Sequence, residues 1–74
     1  MRDYVDDRGR RWDVLVGRES WGALYALFVP AGAAGAEGVH QTLLETSSYE
    51  GAQRLLHEAD EDTLTDLFRR AEPK

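Results

Sequence analysis

Few residues of this chain are equipped for chemistry, and their spacing decides how far each can be taken. His40 and His57 are the only histidines, and there is no cysteine. A metal site would pair His57 with Asp60 or Glu61, but structural zinc takes four ligands and this set is incomplete. No metal is expected, and both histidines read as solvated surface groups. Ser47 and Ser48 have no base nearby in sequence and are better explained as helix caps than as nucleophiles. Glu45, Glu50, Glu58, Asp60 and Glu61 could supply a carboxylate pair for acid–base work. Nothing in their spacing places two of them in a concave site, and a domain this small rarely forms one. No residue is assigned a catalytic role, and the chain is expected to be neither an enzyme nor a cofactor carrier.

The stretch DDRGRRW, Asp6 to Trp12, comes nearest to a nucleic-acid signature, with Arg8, Arg10 and Arg11 beside an aromatic ring that could stack on a base. A β-turn explains the same residues: it must be polar, and Trp12 continues an alternating apolar run. Asp6, Asp7 and Asp13 would oppose a phosphate at close range. Neither GxGxxG nor GxxxxGK[ST] occurs, so the glycines do not form a phosphate cradle. The net charge of −5 points the same way, and the acids are concentrated in the second half of the chain, eight against four bases from residue 38 onward. A nucleic-acid domain built on Arg8–Arg11 and Trp12 therefore stands as an alternative reading, as does a small-ligand or enzymatic domain.

The elements that would position these residues follow from length and periodicity. Seventy-four residues make a single domain, and a chain this size buries only about 60% of the surface it exposes when unfolded. Without disulfides its stability must come from packing, alone or with self-association. The N-terminal residues lack the apolar run of a secretory signal, and no window approaches the ~18 apolar residues of a membrane span. A soluble, cytoplasmic protein is expected.

Tyr4 and Val5, then Trp12, Val14 and Val16, alternate on either side of DDRG, which predicts a hairpin of strands 2–6 and 10–17. Asp6 suits the first position of a type I turn, and Gly9 can supply the positive φ that closes a three-residue loop with a bulge. That register sets Tyr4 opposite Trp12; a two-residue loop would set Val5 there instead. A third strand is expected over 21–29, apolar on both faces: Trp21, Ala23, Tyr25, Leu27 and Val29 on one, Leu24, Ala26 and Phe28 on the other. The Gly-rich segment 31–38 reads as a mobile loop, and 39–46 as a fourth strand. Apolar residues then recur at helical spacing, giving helices over 48–59 and 61–71. Ser47 with Glu50 matches a capping box for the first, while Asp60, Glu61 and Asp62 open the second and Arg69 and Arg70 close it, as the helix dipole favours. The fold class is α+β: a four-stranded antiparallel meander with two C-terminal helices packed on one face.

A strand greasy on both faces needs cover on both. Helices cover one, and the other must meet a loop, a terminus or another protein surface. Trp21, Leu24, Tyr25 and Phe28 are the candidate interface residues, since aromatic and apolar side chains dominate interface energetics. The expected partner is another protein or a second copy of the chain.

The pattern Asp6, Gly9, Arg10, Trp12 and Val14, together with the closing helix DEDTLTDLFRRA, resembles a class of short, uncharacterised bacterial proteins that open with a D-x-x-G-R-x-W-x-V hairpin. The resemblance covers part of the chain. It implies a bacterial source and the order sheet then helix, and it carries no activity, cofactor or site residue.

Overall fold

The computed structural model describes residues 2–18, 22–32 and 38–74. Strands β1 (Arg2–Val5) and β2 (Arg11–Arg18) form the first hairpin, with Tyr4 opposite Trp12 and Val5 opposite Arg11. The turn is the three-residue type. Gly9 N–H donates to the Asp6 carbonyl and Asp6 N–H to the Arg10 carbonyl, both at 3.0 Å. Gly9 takes φ +80°, the left-handed value the bulge requires and a β-carbon would strain.

Strand β3 (Leu24–Pro30) pairs antiparallel with β2, and β4 (His40–Leu43) with β3. Helices α1 (Tyr49–Glu58) and α2 (Glu61–Arg70) follow. The chain then returns to the sheet as β5 (Glu72–Pro73), antiparallel to β4, giving the order β1-β2-β3-β4-β5. The sheet therefore has five strands and not four. The fifth is two residues of low β propensity, secured where Lys74 N–H donates to the Val39 carbonyl at 2.9 Å. The third strand begins at Leu24, later than expected, and the start predicted at Trp21 lies outside the described residues, as do positions 33–37 of the Gly-rich loop. The fourth ends at Leu43, although Leu44 is still buried in the core and its N–H reaches the Leu24 carbonyl at 2.8 Å.

Both helices are fixed at their ends by side chains. Ser48, and not Ser47, is the N-cap of α1: its Oγ accepts the Gly51 N–H at 2.9 Å. At the other end the Arg2 guanidinium donates to the His57 carbonyl at 2.8 Å, where a cation favours the negative pole of the helix. Asp60 caps α2 by accepting the Thr63 N–H at 2.8 Å.

The core lies between the helices and one face of the sheet. Tyr4, Trp12, Val14, Leu24, Ala26 and Phe28 point up from the strands, and Ala52, Leu56, Leu64 and Leu67 point down from the helices. Phe28 is fully buried, and its ring meets Tyr4 and Phe68 at centroid distances of 5.9 and 5.2 Å, within the range where edge-to-face aromatic pairs attract. Leu24 and Phe28 thus belong to the helix-covered core, which corrects their assignment to an interface. Of the two apolar faces of β3, the helices take the even-numbered one because β2 places Trp12 and Val14 opposite Pro30 and Phe28. Among the described residues, no helix is long and apolar enough to cross a membrane.

Candidate functional site

Alternation along paired strands puts a second set of side chains on the face away from the helices. Register aligns Leu15 with Leu27 and Gln41, Gly17 with Tyr25 and Leu43, and Asp3 with Asp13 and Val29. Leu15, Tyr25, Leu27 and Val29 are half-buried, and Leu43 is 54% exposed. No described helix packs on this side, since both contribute to the opposite core. Gly17 shapes the centre of the patch: a β-carbon there would lie 2.8 Å from a Leu27 methyl, so the leucine folds into the space a side chain would fill.

Polar groups border the apolar centre. Asp3 and Asp13 face each other directly across β1 and β2, and Arg11 lies in the next row opposite Val5. Gln41 sits beside Leu27, with Glu72 on its far side. Among the described residues Gln41 Oε1 is a buried acceptor without a donor, which costs free energy unless a donor is supplied.

Of the residues singled out from sequence, Tyr25 lies on this open face and Trp21 falls outside the described residues. Leu15, Leu27 and Leu43 were not candidates, although the parity of Trp12 and Val14 is the signal that separates the two faces.

The basic turn is organised differently from a nucleic-acid grip. Asp6 Oδ1 accepts the backbone N–H groups of Arg8 and Arg10, each at 2.9 Å, and Oδ2 accepts the Trp12 indole N–H at 3.0 Å. The indole bond, followed by those from Arg10 and Arg8 and by the Arg8 charge, holds the Asp6 carboxyl below its usual range. Trp12 is only 4% exposed, with the Arg10 guanidinium 4.8 Å from its ring centroid. Its ring has no free face for a base.

His40 is also not the solvated histidine expected. It is half-buried, its Nδ1 is 2.9 Å from the Gly38 carbonyl, and its ring meets Trp12 edge-on at 5.5 Å. His57 is exposed, as are Glu45, Glu50, Glu58, Asp60 and Glu61. Asp60 is engaged in capping, and Thr63, through its side chain and its N–H, lowers its pKa. Among the described residues no three His, Cys, Asp or Glu side chains gather as a metal site would require. A groove of about 490 Å³ runs between the first turn and the end of α2, floored by Tyr4 and Phe68 with Asp7 and Arg69 at its rim. Two of its polar groups serve the fold: Asp6 closes the turn, and the Tyr4 hydroxyl donates to Thr65 Oγ1 at 3.1 Å.

No family model matches the chain, and no match to it was found among curated proteins or among solved structures.

Proposed function

We propose that this domain is a protein-interaction module without catalytic activity, working through the open face of its sheet. One observation carries the reading. The helices cover a single face of a five-stranded sheet, and the other presents Leu15, Tyr25, Leu27, Val29 and Leu43 with no described layer over them. A contiguous apolar patch rimmed by polar side chains is how interaction surfaces are commonly marked. The occupant is a protein surface, from a second copy or a different chain. The histidines and carboxylates give no comparable support to an enzyme, and the closed position of Trp12 gives none to a nucleic-acid binder.

Native mass spectrometry at near-physiological salt tests this on protein isolated from its own host. The reading predicts an assembly that Leu27→Gln with Leu43→Gln abolishes while circular dichroism shows the fold retained. A bare wild-type monomer, or an assembly indifferent to those substitutions, contradicts it.

A further inference from the structure

We propose that the outer edge of β1 is a self-association site, where a second copy of the chain adds its own β1 antiparallel and joins the two sheets into one. This contact is distinct from the open face and goes beyond the interaction reading above.

Hydrogen-bond parity identifies the free groups. Asp6 N–H donates to the Arg10 carbonyl, and bonded pairs recur at every second residue of an antiparallel ladder. Tyr4 and Arg2 therefore bond β2, while Asp3 and Val5 turn their N–H and carbonyl groups outward. Strand β1 ends the strand order, and among the described residues no further backbone bond engages Asp3 or Val5. Both are exposed, Val5 at 50%, so the edge is open to solvent there. The opposite edge of the sheet is closed. Lys74 N–H bonds the Val39 carbonyl and Glu72 pairs with Gln41, which leaves Pro73 facing outward with no N–H to offer.

The charges select both partner and register. Within one copy Asp3 faces Asp13, where like charges repel, and Arg11 faces Val5. A twofold axis through Tyr4 sets Asp3 opposite Val5 of the second copy, and each such pair exchanges N–H···O bonds in both directions. Asp3 then lies two strands from Arg11 of the second copy, roughly 10 Å between Cα atoms, a span that the two side chains close together across Val5. A second copy thus brings a cation to the acid pair in a register that also satisfies the backbone. Sliding that register by two residues places Asp3 against itself or against Asp7, acid on acid. The net charge of −5 on each copy opposes approach at long range, and β1 has only four residues. A weak, concentration-dependent dimer is the expected state.

Sedimentation velocity of the intact protein over a concentration series tests this, with circular dichroism to confirm that each variant folds. Val5→Pro deletes an outward N–H that the monomer does not use, and it is expected to abolish the dimer. Asp3→Arg and Arg11→Asp are each expected to weaken it about tenfold, since the pair occurs on both sides of the axis, and the two together to restore it. Amide exchange adds a readout on the wild-type chain: the Asp3 and Val5 N–H groups gain protection as concentration rises. Leu27→Gln with Leu43→Gln should leave both the dimer and this protection in place. A monomer at every concentration, or a dimer that ignores Val5→Pro or is not regained in the charge swap, overturns the edge contact. A dimer lost instead through Leu27→Gln with Leu43→Gln places the second copy on the open face, which overturns the edge contact and leaves the interaction reading standing.

Discussion

The Trp12 indole N–H donates to Asp6 Oδ2 at 3.0 Å across the first turn, so the aromatic ring beside the arginines is tied to the carboxylate that begins the loop. Both oxygens of Asp6 are committed, one to the indole and one to two backbone N–H groups. What looks in sequence like a basic grip is a closed turn.

Acid should loosen that turn. The Asp6 pKa is lowered in the fold from an ordinary value of 3.8. Its contribution to stability is therefore fully present above that value and lost as pH falls through it toward the lower folded value. Asp6→Asn is expected to reduce the melting temperature at pH 7 and to flatten its decline between about pH 5 and pH 3. Thermal denaturation followed by Trp fluorescence reads both. A variant with the wild-type acid limb would show that the carboxylate is not what the turn depends on.

The two faces of β3 should respond oppositely to substitution. Phe28→Ala empties a fully buried site and is expected to cost about 3–5 kcal/mol, enough to unfold much of a domain this small. Leu43→Gln, at a position 54% exposed, should stay within about 0.5 kcal/mol of wild type. Urea denaturation of both variants measures the contrast. Equal losses would mean that the open face is packed.

Helix α1 gives a discriminating pair at adjacent serines. Ser48→Ala removes the acceptor of the Gly51 N–H and is expected to cost about 1 kcal/mol. Ser47→Ala, which removes no cap, should be close to neutral. Chemical denaturation distinguishes the two, and a larger effect at Ser47 would shift the helix start by one residue.

At the opposite end of the same helix, Arg2→Met keeps much of the aliphatic stem and deletes the donor to the His57 carbonyl. A loss of about 0.5–1 kcal/mol is expected, with faster amide exchange in the last turn of α1. Unchanged exchange there would remove Arg2 from the capping role.

Much of this fold is legible before any coordinates. DDRG states its own turn, because Asp accepts local backbone N–H groups and Gly takes positive φ, and Tyr4 opposite Trp12 follows from that. The helices declare themselves by period and by Asp60 at the head of the second. Other features carry no local signal. Both faces of β3 are apolar, so its alternation cannot say which one the helices take; that is decided across the sheet, where Val14 meets Phe28 and Leu15 meets Leu27. The candidate interface therefore mixed both faces, joining Leu24 and Phe28 to Tyr25. Strand β5 is two residues, Glu72 and Pro73, held by pairing with β4 and by no preference of their own. His40 gives no local sign of its packing against Trp12 and Phe68, because both contacts are long-range.

The central claim is that the sheet face opposite the helices meets another protein, and site-resolved photocrosslinking in the host cell tests it most directly. A photoreactive residue would replace Leu43 on the open face and, separately, Arg54, an exposed residue of α1. The account predicts a discrete adduct from position 43 that Leu27→Gln diminishes, and no adduct of that size from position 54. No adduct from position 43, or the same products from both positions, would contradict it.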